Sequence, residues 1–354
     1  MSCTCAAALR AHVVALAALL GTGCDAVSVV GFVEGTAPAT DPSVGCPAGS
    51  LLLGCTEGNA CGGHLLTDEG RTGSASIAVD DEMRVFHIVD GADGLEDIVS
   101  FAPDEAQRVV AAGISQVMDL EVDETHLYWL PHNGDVYRAP KDGSGSTDVV
   151  DLPLGNGRKL ALAGARAYAT VLREGEDDVQ GDVAVFAKDG SGEVVTVPQP
   201  APWALAATES AVFWSNDGFG AGAGEIVGGP PELLGAAALS TGLVPPHSIT
   251  IARDYIVWVT DGEESEGGEE GVLMRAPIAG GPAELLADGI YKPKAVGFFE
   301  GMIYVATGGG LLGFPLDGGA PKELWANGVL SLEVRCSGVY AQHWDDGGIV
   351  RYGR

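Results

Sequence analysis

The strongest constraint on this chain is a repeat of about forty residues that runs through most of its length. Each copy is an apolar run, a short polar turn and a second apolar run, and successive copies end 36 to 46 residues apart. A steady period of this length, with a strand pair in each unit, is typical of a β-propeller. The copies begin at Ile77, Leu120, Leu160, Leu205, Ile249, Ala295 and Ser331 and end at Phe86, Trp129, Ala169, Trp214, Trp258, Tyr304 and Tyr340.

A second hairpin follows the first in each unit, and its turn is nearly copied. The segments YRAPKDGSG from Tyr137 and MRAPIAGGP from Met274 carry Asp-Gly and Gly-Gly pairs, which supply the positive φ angles of tight hairpins. Four antiparallel strands per unit make one blade, so the sequence predicts an all-β, seven-bladed propeller. Six or eight blades are the alternatives if the atypical third or fourth unit is miscounted.

The last unit is one strand short, because the chain reaches Arg354 where a fourth strand should begin. The segment CGGHLLTDEG (61–70) matches AGGPAELLADG (279–289) in its Gly-Gly turn and in the pattern after it. We therefore expect an N-terminal strand to complete the last blade and close the ring, which removes two open sheet edges.

The N-terminal segment has the pattern of an export signal. Arg10 precedes an apolar stretch (11–21) that is too short to span a bilayer. Small residues directly before Cys24 resemble a bacterial lipobox, which predicts lipidation of Cys24, although Leu20 lies one place further from the cysteine than usual. Ordinary signal-peptidase cleavage is the alternative. We thus predict a signal peptide (1–24), a flexible tether (25–60) and a propeller (61–354).

Four cysteines remain after the signal peptide, an even number that suits disulfides in an oxidising compartment. They permit three pairings. Cys336 falls in the first turn of the last unit and Cys61 begins the strand expected to join it, so we expect a bond between them that locks the closure. A zinc site is the competing interpretation, but the spacing matches no zinc ribbon or finger. The candidates are Cys46, Cys55, Cys61 and Cys336.

The charge balance argues against some partners. With 19 basic and 49 acidic residues the chain has a formal net charge of −30, which repels nucleic acid and anionic lipid headgroups. We expect no nucleic-acid partner, contact with a membrane only through the lipid anchor, and a monomer in an exported location, either the cell envelope (periplasm or outer-membrane surface) or the medium.

Aromatic pairs recur at the end of the second strand, as in Tyr128-Trp129 and Phe213-Trp214. Since neighbouring blades cover both faces of each sheet, we expect these rings to be core residues. The segments WVTD from Trp258 and FWSND from Phe213 resemble the YWTD propellers of secreted and receptor proteins. The resemblance implies the propeller fold and no particular activity.

One mouth of the channel is the expected place for a ligand, because the loops between second and third strands vary most and open there. Histidines and carboxylates are common metal ligands, which makes a metal site, or weak Ca²⁺ contact on the 263–270 loop, an alternative to solvated charge. The metal candidates are His87, His132, His247 and His343, and the predicted binding rim contains Trp344, Asp345, Asp346, Asp261, Glu263 and Glu264.

No nucleophile elbow, phosphate loop or sialidase box occurs in the sequence. We therefore expect a non-catalytic binding or scaffold propeller, without a cofactor, for a protein or glycan partner. A metal-dependent propeller enzyme of the lactonase, cyclase or lyase type, with its site at the channel mouth, is the alternative. A purely structural spacer is a third possibility.

Overall fold

The computed structural model describes residues 63–67, 76–102, 105–152, 155–173, 180–217, 224–260 and 269–352. These residues form seven four-stranded antiparallel sheets arranged in a ring, so the predicted seven-bladed propeller is confirmed. Within the described ranges, no helix is long and apolar enough to cross a membrane.

The blades follow one another along the chain. Blade 1 contains β2 (Ile77–Val79), β3 (Val85–Asp90), β4 (Glu96–Phe101) and β5 (Arg108–Ile114). Blade 2 contains β6 (Val117–Val122), β7 (His126–Pro131), β8 (Val136–Pro140) and β9 (Asp148–Val150). Blade 3 contains β10 (Asn156–Ala163), β11 (Arg166–Leu172), β12 (Gln180–Ala187) and β13 (Val195–Pro200). Blade 4 contains β14 (Pro202–Ala207), β15 (Val212–Asn216), β16 (Gly224–Gly229) and β17 (Ala237–Leu243).

Blade 5 contains β18 (Pro246–Ala252), β19 (Tyr255–Thr260), β20 (Glu270–Pro277) and β21 (Glu284–Tyr291). Blade 6 contains β22 (Pro293–Phe299), β23 (Met302–Thr307), β24 (Gly310–Pro315) and β25 (Lys322–Trp325). Blade 7 combines β26 (Val329–Arg335), β27 (Gly338–His343) and β28 (Ile349–Tyr352) with the first strand of the chain, β1 (Gly63–Thr67).

The ring is closed by the pairing of β1 with β28, as the sequence predicts. Gly63 lies opposite Tyr352 and Leu65 opposite Val350 in an antiparallel ladder. Leu66 packs against the cluster between blades 7 and 1, which contains Tyr340 and Ile349. The N-terminal strand therefore belongs to the last blade, and the ladder edge of β28 is covered.

The core is divided among the seven blade interfaces, with one cluster of buried apolar residues in each. The second strand of a blade is covered on both faces, and β11 is accordingly buried at six of its seven residues. Trp129, Trp214 and Trp258 are at most 2% exposed. The expectation that the aromatic pairs are core residues is confirmed.

The register corrects the sequence alignment in blade 1. Ile77 lies opposite His87, as Leu120 lies opposite Trp129 in blade 2. His87, and not Phe86, therefore takes the place that tryptophans hold in blades 2, 4 and 5. Residues 80–84 make the first turn of blade 1 longer than the others, which shifted the alignment by one position.

The turns of the second hairpins have the predicted chemistry. In four blades the backbone N–H of a glycine donates to the carbonyl three residues earlier at 2.9 to 3.0 Å. The φ angles of these glycines lie between 69 and 90°, a range that disfavours other residues. The glycines are Gly143, Gly190, Gly280 and Gly318.

Candidate binding site at the channel mouth

The first strand of every blade lines a central channel of about 680 Å³. These inner strands all start at the face where the loops between second and third strands lie. For example, the His132 N–H after β7 donates to the Gln116 carbonyl before β6 at 2.8 Å. We call this face the mouth.

A register irregularity of the β-bulge type occurs at the mouth end of the inner strand in blades 2 to 7. A bulge inserts an extra residue and redirects its side chain. Three residues directly before these strands, Gln116, Ala201 and Lys292, have positive φ angles of 42, 50 and 44°, a conformation that costs energy and is found at functional sites. The bulged residues, which we call the mouth ring, are Met118, Arg158, Trp203, His247, Lys294 and Leu330.

The mouth ring holds an arginine stacked on a tryptophan from the next blade. The guanidinium carbon of Arg158 lies 4.7 Å from the centre of the Trp203 ring, and Trp203 lines the channel. Burial lowers the pKa of Arg158. Its Nε is buried and makes no hydrogen bond within the described part of the chain. The stacking therefore holds a partly desolvated cation in place without a counter-ion among those residues.

A second group of aromatic and basic residues lies at the mouth where the end of blade 5 and the start of blade 6 meet the β27–β28 turn of blade 7. We call it the aromatic–lysine patch: Tyr291, Lys292, Lys294 and Trp344. The Lys292 and Lys294 ammonium nitrogens lie 5.9 and 5.6 Å from the Trp344 ring centre, and Lys292 also lies 5.4 Å from that of Tyr291. Tyr291 is 48% exposed and Trp344 is 36% exposed. The Lys292 ammonium is paired with Glu269 at 2.5 Å.

Deeper in the channel, blades 2, 3 and 7 contribute a group of charges that we call the channel cluster: Asp119, Glu121, Lys159, Glu333 and Arg335. Asp119 Oδ1 accepts from Lys159 Nζ at 2.9 Å and from Ser76 Oγ at 2.8 Å, and its Oδ2 accepts from the Leu160 N–H at 2.8 Å. An Arg335 guanidinium nitrogen lies 2.8 Å from Glu333 Oε1. Three carboxylates thus share two cations.

Burial and the excess of carboxylates over cations raise the pKa values of two glutamates in the cluster. Burial, together with the negative charges of Glu333 and Asp119, raises the pKa of Glu121 to about 8, against the opposing effect of Arg335 and Lys159. Burial also raises the pKa of Glu333, although Arg335 opposes this. Burial thus favours the protonated form of Glu121, and a neutral Glu121 would balance the charge of the cluster.

The four candidate histidines lie in different places. His87 is fully buried between blades 7 and 1, beside Phe101 at a ring distance of 5.6 Å, and burial lowers its pKa to about 4 against a hydrogen bond with Gln107. The expectation that it lies near the mouth is wrong, because it fills a tryptophan position. His132 follows β7 in the β7–β8 loop, where its main chain bonds to Gln116 and Gly157.

The other two histidines are held by specific contacts at the mouth. His247 belongs to the mouth ring, and its Nε2 lies 2.9 Å from the Pro293 carbonyl. His343 stacks on Trp325 at 5.5 Å, its Nδ1 is 3.7 Å from Asp346, and burial lowers its pKa against the charges of Asp346 and Asp345. Among the described residues, no three His, Cys, Asp or Glu side chains form a group able to hold a metal ion.

The predicted rim is partly described. Trp344, Asp345 and Asp346 are exposed in the β27–β28 turn at the mouth, where Asp346 Oδ1 accepts from the Gly348 N–H at 2.9 Å. The remaining rim residues, Asp261, Glu263 and Glu264, lie outside the described residues, as do Cys24, Cys46, Cys55 and Cys61.

Sequence reasoning missed the mouth ring and the channel cluster. Arg158 and Trp203 lie in separate repeats, and nothing in the alternation of apolar residues marks them. One signal was available: Asp119 and Lys159 place charges at the start of inner strands, where other repeats have Ser76, Ala204 and Ser248. A charge at a position that is otherwise small and uncharged in the repeats is a sign of a functional or structural site.

The ring of blades and the open channel define the class, a seven-bladed β-propeller. No family model and no curated protein sequence matches the chain. Among solved structures it is similar to the computationally designed Ika8 protein, with a TM-score of 0.50 and 14% identity over 83% of this chain and 98% of that one. This likeness supports the fold alone, and the resemblance to YWTD propellers stays a prediction.

Proposed function

We propose that this protein is an exported, non-catalytic β-propeller that binds a glycan or protein partner at the channel mouth. The observation that carries the proposal is the concentration of aromatic and basic side chains at that face. The mouth ring presents Trp203 with Arg158, and the aromatic–lysine patch presents Tyr291 and Trp344 with two lysines. Partly exposed aromatic rings beside charged groups are the usual centres of binding surfaces.

The position of the surface supports the same function. It lies on loops and bulges that a rigid ring of blades holds in place, an arrangement that binding proteins use often. The main chain at Trp344 is held in place, because its backbone N–H donates to the Gly328 carbonyl at 2.9 Å. The surface is thus ordered before a ligand arrives, which lowers the entropic cost of binding.

Export and lipidation of Cys24 are part of the proposal and depend on the sequence pattern of residues 1–24. A disulfide at Cys336 supports an oxidising location, since disulfides persist mainly outside the cytosol. We propose Cys61 as its partner. Gly63 pairs with Tyr352, which in turn pairs with Val339, so β1 begins at the same end of blade 7 as the turn that contains Cys336.

A binding screen with matched variants tests the function. Purified full-length protein is applied to a glycan array and to a panel of envelope proteins, together with Trp344→Ala and the control Leu234→Ala. Leu234 is 72% exposed and lies in the β16–β17 turn, on the face opposite the mouth. We expect at least tenfold weaker binding for Trp344→Ala and no change for the control. Equal binding by all three proteins would contradict a mouth site.

Elemental analysis of the same preparation tests the alternative, a metal-dependent enzyme. A stoichiometric ion that is lost on His247→Ala would favour the enzyme over the binding module.

A further inference from the structure

The mouth contains a cation, Arg158, that has no hydrogen-bond or ion-pair partner among the described residues of this carboxylate-rich protein. Arg158 forms no hydrogen bond or ion pair with any residue in the described ranges, and its Nε is buried. Arg84, Arg138, Arg166 and Arg173 are each paired with a carboxylate at 2.5 to 3.1 Å. Arg158 has no such pairing with a described residue, although the chain has 49 acidic and only 19 basic residues.

A partly buried charge without a counter-ion costs free energy, and a bound ion or anionic ligand is one way in which proteins compensate such a group. The guanidinium presents donors in a planar fork that matches a carboxylate. Its face is covered by Trp203, so the donors at the edge are directed by the stacking. An anionic group that enters the mouth would therefore supply the hydrogen-bond acceptor that Arg158 lacks among the described residues.

The surroundings define the rest of the ligand. The mouth ring itself includes two cations, Arg158 and Lys294, and no carboxylate, although Asp345 and Asp346 lie in the β27–β28 turn at the same face. The channel below, at about 680 Å³, is much larger than a simple inorganic ion and lies in the usual range for small-molecule sites. Its wall carries the hydroxyl of Thr250, which can bond to ligand hydroxyls.

We infer that the mouth binds a small acidic sugar, with the carboxylate of the ligand on Arg158 and a face of the sugar ring against Trp203. This inference rests on the proposed function and names its ligand class. A single carboxylate is favoured over a polyanion because the net charge of −30 repels extended anionic chains. Lys294 raises the local positive potential on the opposite side of the ring.

Calorimetric titration with glucuronate tests the inference. Glucose is the neutral probe with a similar ring, and inorganic phosphate is the anion without a ring. We expect glucuronate to bind and the other two to bind at least tenfold more weakly. Equal binding of glucose, or equal binding of phosphate, would overturn the assignment, as would the absence of glucuronate binding.

Two variants with the same change in charge locate the site. Arg158→Gln is expected to weaken glucuronate binding at least tenfold, because a hydrogen bond to a charged group is lost. Arg166→Gln, a half-exposed arginine paired with Glu232 on the opposite face, is the control and is expected to bind as the wild type does. Equal affinities of the two variants would overturn the role of Arg158.

A measurement on the unaltered protein covers the case in which Arg158→Gln does not fold. In NMR spectra, glucuronate should shift the indole N–H signal of Trp203 and leave that of Trp258, which is buried between blades 4 and 5, in place. An unshifted Trp203 signal would overturn the inference. A neutral glycan that binds and is lost in Trp344→Ala would leave the proposed function standing while excluding an acidic sugar.

Discussion

The carboxylate of Asp119 in blade 2 accepts a hydrogen bond from the Leu160 N–H in blade 3 at 2.8 Å. The same link joins Ser76 to the Leu120 N–H at 3.0 Å and Ser248 to the Val296 N–H at 3.1 Å. At these three blade interfaces a polar side chain at one inner strand thus satisfies a backbone donor on the next, so the wall of the channel is bonded between these blades as well as along each blade.

Asp119→Ala is expected to destabilise the protein by about 2 to 4 kcal/mol, because it leaves the Leu160 N–H and the Lys159 ammonium without their acceptor. Chemical denaturation measures the loss. Asp148→Ala is the control, since this aspartate is 58% exposed and its pairing with Arg138 at 3.1 Å is a surface ion pair, for which less than about 1 kcal/mol is expected. Similar losses for both variants would contradict the role of Asp119.

Glu121 makes the free energy of unfolding decrease as the pH becomes alkaline. Its pKa is about 8 in the folded state, whereas an unperturbed glutamate has a pKa of 4.5, so the folded state holds the proton more tightly. The stability that protonated Glu121 contributes is fully present below about pH 4.5 and is lost as the pH rises through 8. Glu121→Gln, which stays neutral, should be more stable than the wild type at pH 9 by roughly 1 to 2 kcal/mol.

Denaturation curves at pH 6 and pH 9 measure this difference. Glu124→Gln changes an exposed residue of the neighbouring turn and should keep the pH dependence of the wild type. A Glu121→Gln protein with the same loss between the two pH values would show that another group is responsible.

His87 acts in the opposite direction, at acid pH. Burial lowers its pKa from 6.5 to about 4, so the folded state disfavours the proton. Stability contributed by neutral His87 is present above pH 6.5 and is lost as the pH falls toward 4. Between pH 6.5 and pH 4, the free energy of unfolding of His87→Leu should fall by less than that of the wild type, and the difference should reach up to about 3 kcal/mol. Thermal unfolding at pH 7 and pH 4 tests this, with the partly exposed His126→Leu as the control; equal losses would contradict it.

Closure of the ring predicts a sharp difference between two truncations. Removal of residues 1–60 leaves β1 intact and should give a folded monomer. Removal of residues 1–70 deletes β1 and exposes the edge of β28, so we expect aggregation or loss of cooperative unfolding. Size-exclusion chromatography separates the outcomes. A monomeric, cooperatively folded product of the longer truncation would contradict the closure.

The proposed Cys61–Cys336 bond adds to this closure. Its removal by Cys61→Ser is expected to lower the free energy of unfolding by about 4 to 5 kcal/mol, since it closes a very long loop of the unfolded chain. Peptide mapping of the non-reduced protein identifies the partner directly. A peptide that joins Cys336 to Cys46 or Cys55 would contradict the pairing.

The sequence predicted most of the fold because each repeat contains its own strands and turns. The alternation around Leu120 and Trp129 and the Asp-Gly turns are local signals, and even the closure was visible as a match between residues 61–70 and 279–289. The binding surface was harder to predict. Arg158 and Trp203 meet only after two blades pack together. The bulges that direct their side chains depend on the pairing between neighbouring strands, and this pairing cannot be read from the composition.

The pairing of β1 with β28 has a consequence for how the chain acquires its structure. The two partners come from opposite ends of the repeat array, so this contact has a very large sequence separation and cannot form while residues 349–352 are still being synthesised. Six blades can assemble early from local hairpins, whereas the seventh must wait. Until then the nascent ring stays open, and β1 lacks the partner strand that covers its edge.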